Sequence, residues 1–179
     1  MRTCRIHITG ASGSGTTTLG RALAQALGVP CHDTDDYLWR PSDPPYRDLR
    51  PIEDRLRLMA EMFRPLPGWV LSGSAHGWGD LDQDFDLVVF LSAPTQVRIA
   101  RLRARESRRF GAEAVAPGGW RCAETEAFLD WAAHYDAGDR EGRSLAKHEA
   151  WLETLRCPTL RLPGERPVAE LVAAVVEAL

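Results

Sequence analysis

Gly10-Ala11-Ser12-Gly13-Ser14-Gly15-Thr16-Thr17-Thr18 is the stretch on which the reading of this chain turns. Before it, residues 4–9 (Cys-Arg-Ile-His-Ile-Thr) alternate in polarity and run into glycine, as a strand does on entering a turn. After it, Leu19, Leu23, Ala26 and Leu27 recur at helical spacing until Gly28 stops the pattern. A glycine-rich loop between strand and helix lets successive N–H groups turn inward. The helix adds its positive end, and the two together form a nest for phosphate. The spacing is that of G-x-x-x-x-G-K-[ST], which makes residues 10–18 candidate nucleotide contacts and Thr17 the hydroxyl that would hold magnesium.

Thr16 stands where that pattern has lysine. A threonine hydroxyl is short and neutral and cannot bring a cation to the outer phosphates. Losing one preorganised donor from a transition state costs about 2.7–4 kcal/mol, whereas a helix terminus contributes about 0.3–1 and at most ~2 kcal/mol. The helix end alone does not compensate. Either another basic group enters the site, or the protein binds nucleotide and turns it over poorly.

Around this loop the chain has the composition of one soluble α/β domain. Its 179 residues suffice for a single core, with 44% hydrophobic and 26% charged residues. No apolar run reaches membrane-spanning length and no signal-peptide core opens the chain, so a cytoplasmic location without membrane attachment is expected. The net charge of -3 argues against a dedicated nucleic-acid binder. Cys4, Cys31, Cys122 and Cys157 are scattered with no C-x-x-C pair, so neither a zinc site nor a disulfide framework is expected. The 22 basic residues include a single lysine, Lys147.

Further along, a second strand is expected at residues 29–32, followed by the acidic turn Asp33-Thr34-Asp35-Asp36. Pro51 suits the first position of a helix carrying Ile52, Leu56, Met59 and Met62. The runs 69–72 and 87–91 are continuously apolar, as in strands covered on both faces. Helices are expected over 95–109, 123–135 and 144–155, then a strand at 159–162 and a helix at 167–179. The alternation predicts a three-layer fold, an approximately five-stranded parallel sheet flanked by helices. Arg98, Arg101, Arg105, Arg108 and Arg109 follow three- and four-residue steps and share a helix face, while Arg103 points away. Tyr37, Trp39, Tyr46, Trp78 and Trp120 lie on segments near the strand ends and could wall a pocket. Arg55 and Arg57 could meet an anionic acceptor or simply form a solvated face.

The glycine loop, Asp33-x-Asp35, the apolar strands and Arg101-Leu-Arg-Ala-Arg105 together resemble the P-loop small kinases of the adenylate, shikimate and gluconate kinase type. The loop with its three threonines, Asp33 to Tyr37 and Trp69 to Ser74 are most similar to bacterial P-loop proteins labelled adenylate-kinase-related or topology-modulation proteins, with a lysine-less phosphate loop. The resemblance implies ATP or another nucleoside triphosphate with Mg2+, and γ-phosphoryl transfer to a small nucleoside, nucleotide or other hydroxylated acceptor. It assigns Asp33 to the metal side and Asp35 to the acceptor hydroxyl. Turn formation and capping of a short helix is the other reading of this pair. It makes Arg101 and Arg105 lid arginines that close on the phosphates, although Ala100 replaces the glutamate found before them in adenylate kinases. It also sets residues 110–146 as a helical lid and places Leu162-Pro-Gly-Glu165 beside the adenine. Lys147 ranks below these arginines as the replacement cation, and Ser72, which closes the first apolar run, could contact a metal water. The rival function is a nucleotide-binding regulatory module that lost efficient catalysis with its lysine.

Overall fold

The computed structural model describes residues 4–179. In chain order the elements are β1 (Arg5–Gly10), α1 (Thr16–Leu27), β2 (Cys31–Asp33), α2 (Thr34–Leu38), β3 (Trp39–Arg40), β4 (Asp48–Leu49), α3 (Ile52–Met62) and β5 (Trp69–Ser72). A 3-10 turn (Leu81–Asp84) leads to β6 (Leu87–Ser92), α4 (Thr95–Phe110), α5 (Ala112–Val115), α6 (Cys122–Ala133), α7 (Leu145–Leu152), β7 (Thr159–Pro163) and α8 (Val168–Glu177). The five-stranded sheet runs β2-β5-β1-β6-β7, parallel throughout, and β3 and β4 form a separate two-residue hairpin. This is the three-layer α/β fold expected of a P-loop kinase-like chain.

Strand alternation sorts the core into two layers. Trp69, Leu71, Val88 and Phe90 point to the side of α3 and α7, where they pack on Met59, Phe63, Trp151 and Leu152. Ile6, Ile8, Val70, Val89 and Leu91 point to the other side, against Leu19 and Leu23 of α1 and Leu171 and Val175 of α8. Trp69 and Phe63 are fully buried, and truncating either to alanine would cost about 3–5 kcal/mol. With both faces covered, the central strands need no polar face, which is why their sequences read as continuous apolar runs. Among the described residues no helix is long and apolar enough to cross a membrane.

Element boundaries differ from the sequence reading in a few places. The second strand falls at Cys31–Asp33 and not at 29–32, because residues 31–33 are the ones in register with Val70–Ser72. The helix expected over 144–155 ends at Leu152, and the one over 123–135 spans Cys122–Ala133. The α2 helix and the β3–β4 hairpin are too short for periodicity to reveal.

Candidate active site

The carboxyl ends of the parallel strands deliver the site. Leaving β1, the chain turns through residues 11–15 and enters α1, whose N-cap Gly15 makes no side-chain cap bond and whose first turn holds no acidic residue. The helix end therefore offers unpaired amides and a positive dipole to an anion. The loop is pressed against the start of α4: a Cβ on Gly13, at φ +85°, would lie 2.6 Å from the Arg98 carbonyl oxygen. Only glycine fits there.

Asp33 ends β2 and acts in two directions. Its Oδ2 accepts a 2.8 Å hydrogen bond from Thr17 Oγ1, and its Oδ1 accepts from the Asp35 backbone N–H at 3.1 Å. It is thus both the N-cap of α2 and the partner of the loop hydroxyl. The two sequence readings of this acid, functional and capping, describe one carboxylate. Ser72 Oγ, at the end of neighbouring β5, lies 3.3 Å from the same Oδ2. The convergence of the Thr17 hydroxyl and the Asp33 carboxylate at a helix N-terminus, with the Ser72 hydroxyl behind them, fits magnesium. That ion keeps waters and nucleotide oxygens and takes only one or two protein groups. Among the described residues no group of three or more His, Cys, Asp or Glu could hold a metal unaided.

Asp35, on the first turn of α2, lines a cavity of about 370 Å³ that also takes in residues 10–13, Thr16, Thr17 and Asp33. The other walls include Trp39, Tyr46, Phe128 and Trp131, with Arg105, Arg109, Arg121 and Arg143 and the carboxylates Glu106 and Glu124. Burial raises the Asp35 carboxyl above the ordinary carboxylate range, and the Asp33 charge adds to this. Arg143, Arg105 and Arg109 oppose it. The protein groups crowded around the carboxylate in the cavity disfavour its charged form, which is the physical cause.

A second cavity of about 390 Å³ lies on the other side of the loop, lined by residues 13–19, Arg101, Arg105, Arg108, Gly164 and Arg166. Arg101 belongs there. Its Nη1 donates to the carbonyls of Gly13, Ser14 and Gly164 at 3.4, 3.3 and 3.0 Å, so it grips the loop from outside and does not line the Asp35 cavity. Arg101, expected from the resemblance to close on the phosphates, is here engaged with backbone carbonyls of the loop and of Gly164. Arg105 touches both cavities but gives Nε and Nη2 to Glu106 Oε1. Arg98, on the same helical stripe, is fully buried and donates to the Ala93 and Ala132 carbonyls, Thr95 Oγ1 and Asp136. Arg103 lies off the stripe, as its phase predicts, and pairs with Glu126.

Of the aromatic set named from sequence, Trp39 and Tyr46 do wall the Asp35 cavity. Tyr37 and Trp78 are core residues, and Trp120 is 66% exposed elsewhere. Arg55 stacks over Trp78 and Arg57 pairs with Asp54, neither at the cavity. Sequence reasoning missed Phe128 of α6. Trp131 and Arg143 fall in the lid stretch 110–146, but nothing in the sequence gave them a role, since no local motif marks residues so far from the loop along the chain.

The AAA domain family matches residues 6–115, more than half of the chain, and this chain belongs to it. The uncharacterized protein YqaC of Bacillus subtilis (strain 168) is 43% identical over 175 residues, which is 97% of this chain and 96% of that protein. Shikimate kinase 2 of Syntrophotalea carbinolica is 35% identical over 109 residues, 55% of this chain and 63% of that one. The crystal structure of shikimate kinase from Aquifex aeolicus vf5 superposes with a TM-score of 0.54 at 14% identity, covering 97% of this chain and 94% of that chain, a likeness of fold.

Proposed function

We propose that this protein is an ATP- and Mg2+-dependent phosphotransferase acting on a small hydroxylated or nucleotide-like acceptor. It belongs with the adenylate-kinase-related P-loop proteins that lack the loop lysine. The observation that carries the proposal is the meeting, in one cavity, of the uncapped α1 N-terminus and the Asp35 carboxylate. A phosphate held by the loop amides would present its terminal phosphorus toward an acceptor seated against Asp35.

In that arrangement Asp35 orients the acceptor hydroxyl and takes its proton as the oxygen attacks the γ-phosphorus. The bond to the bridging oxygen breaks and its electron pair leaves with ADP. Positioning of this kind, with charge stabilisation, is most of what phosphoryl transfer asks of a protein. Thr17 and Asp33 would hold magnesium, which neutralises phosphate charge when bound. Arg105 faces the phosphates from α4, and Arg101 keeps the loop shaped for them. Residues 110–146 act as the lid, contributing Arg121, Phe128, Trp131 and Arg143 to the cavity wall. The aromatic walls and arginines suit an acceptor with a flat or apolar part and a negative group.

Thr16 favours a second reading, a nucleotide-binding regulatory module with little catalysis. Incubation with ATP and Mg2+ and a panel of nucleosides, nucleotides, sugars and hydroxy acids, scored for acceptor-dependent ADP release, separates the two. Nucleotide binding without transfer to any acceptor would favour the module.

A further inference from the structure

Four arginines line the cavity that holds Asp35, and three of them already have a carboxylate partner. Arg105 and Arg109 share Glu106, at 3.1 and 3.9 Å, and Arg121 pairs with Glu124. Arg143 differs. Among the described residues no carboxylate lies within ion-pair distance of it; its Nη2 donates to Ser12 Oγ at 3.2 Å, and its guanidinium sits over the Trp131 ring at 5.3 Å. The Asp35 carboxylate acts on it from across the cavity without closing a salt bridge. A guanidinium held largely out of water without a counterion is costly, and the cost is relieved when an anion enters beside it.

The side chain is also held in place. Arg143 lies in the α6–α7 connection, whose flanking carbonyls are tied down: Trp131 Nε1 donates to the Glu141 oxygen and Lys147 Nζ to the Gly142 oxygen. Ser144 then caps α7 by accepting from the Lys147 N–H. Lys147, considered from sequence as the replacement cation, instead supports the loop that carries the arginine.

We infer that Arg143 supplies the positive charge that Thr16 lacks, contacting the terminal phosphate of the bound nucleoside triphosphate from the lid side of the loop. The inference rests on the phosphotransferase reading and names a residue beyond the matched stretch 6–115. Its geometric basis is orientation. The nucleotide's phosphoryl end must face Asp35, and Arg143 shares that cavity with Ser12 and Asp35, whereas Arg101 lines the second cavity with Gly164; Thr16 borders both. A lysine at position 16 would approach the phosphates along the loop. Arg143 reaches the same charge across the cavity mouth, with a planar fork suited to two phosphate oxygens.

The test is nucleotide binding by calorimetry, with ATP and ADP titrated separately in Mg2+, alongside acceptor-dependent turnover. The proteins are wild type, Arg143→Ala, Arg143→Lys, Arg101→Ala and Thr16→Lys/Arg143→Ala. Arg143→Ala is expected to lose ATP affinity by about tenfold or more and turnover by ~1,000-fold, with ADP affinity within twofold of wild type. Arg143→Lys should retain part of the ATP preference, and the double variant should recover most of it, because the charge is restored from the loop. Arg101→Ala, which loosens the loop itself, should weaken ATP and ADP together. Equal loss of ATP and ADP in Arg143→Ala, no change in either, or a double variant no better than the single one would overturn the assignment while leaving the phosphotransferase reading standing. A wild type that binds neither nucleotide would overturn both.

Discussion

Gly164 is where the last strand touches the phosphate loop, and adding one methyl group there should be felt at the nucleotide. Its N–H donates to the Ser92 carbonyl at 2.7 Å, and its own carbonyl accepts from both terminal nitrogens of Arg101 at 3.0 Å. A Cβ at this position would lie 2.3 Å from the Ser14 carbonyl oxygen and 3.3 Å from that of Ser92. Since such contacts do not fall under 3.0 Å, the Ser14 peptide and residue 164 must part by at least about 0.7 Å. Both are backbone, with no flexible side chain to swing aside. A misplacement of ~1 Å in a positioned group costs on the order of 100-fold, so Gly164→Ala is expected to weaken ATP binding by roughly 10- to 100-fold, about 1.4–2.7 kcal/mol. The same overpacking should lower stability by about 1–3 kcal/mol. Calorimetric titration with ATP, together with urea unfolding of the ligand-free protein, reads both effects. A variant that binds ATP within twofold of wild type would refute the coupling between β7 and the loop, even if its stability fell.

Asp35→Asn should cut phosphoryl transfer by ~100- to 10,000-fold in a turnover assay while ATP affinity moves little. Because burial and Asp33 raise the Asp35 pKa, its basic form is lost as pH falls through a value above the ordinary aspartate one. The acid limb of kcat/KM should therefore lie above ~3.9 and vanish in the Asn variant. A raised carboxyl pKa also means that its stability contribution is full below the unfolded pKa and declines as pH rises through the folded one. Asp35→Asn should accordingly leave Tm at neutral pH unchanged or higher. Thr17→Val should abolish the gain in ATP affinity on adding Mg2+, measured by paired titrations with and without the ion, since it removes the hydroxyl that partners Asp33. Arg98→Met strands the Ala93 and Ala132 carbonyls and Asp136; a loss of about 3 kcal/mol is expected in urea unfolding, the low end for a broken buried pair because Asp136 is half-exposed.

What the sequence made legible was local. The loop, its flanking strand and helix, and the apolar runs of β5 and β6 are contiguous patterns whose physics is complete within a dozen residues. Asp33 and Asp35 were legible for the same reason, standing two apart at the end of a strand. Arg101 shows where such reading stops. Helical phase placed it correctly on a stripe with Arg98, Arg105 and Arg108, but phase does not say what a stripe faces. Arg98 proved to be core, Arg101 the outer clamp of the loop, and Arg105 a residue of both cavities. Arg143 was harder still, because it stands in a connection without a motif, and its place beside Ser12 and over Trp131 exists only once the chain between them has folded.

The grip of Arg101 on the loop has a thermodynamic consequence. With the Gly13 and Ser14 carbonyls engaged by a guanidinium on the outer side, a peptide flip in the loop must give up charge-assisted bonds. The amides are therefore committed to the inner side before any ligand arrives. Binding then orders little that is not already ordered. Exchange of the loop's amide hydrogens in the free protein should follow the openings of the sheet it is fastened to, and a nucleotide should slow that exchange by occupying the nest without first having to create it.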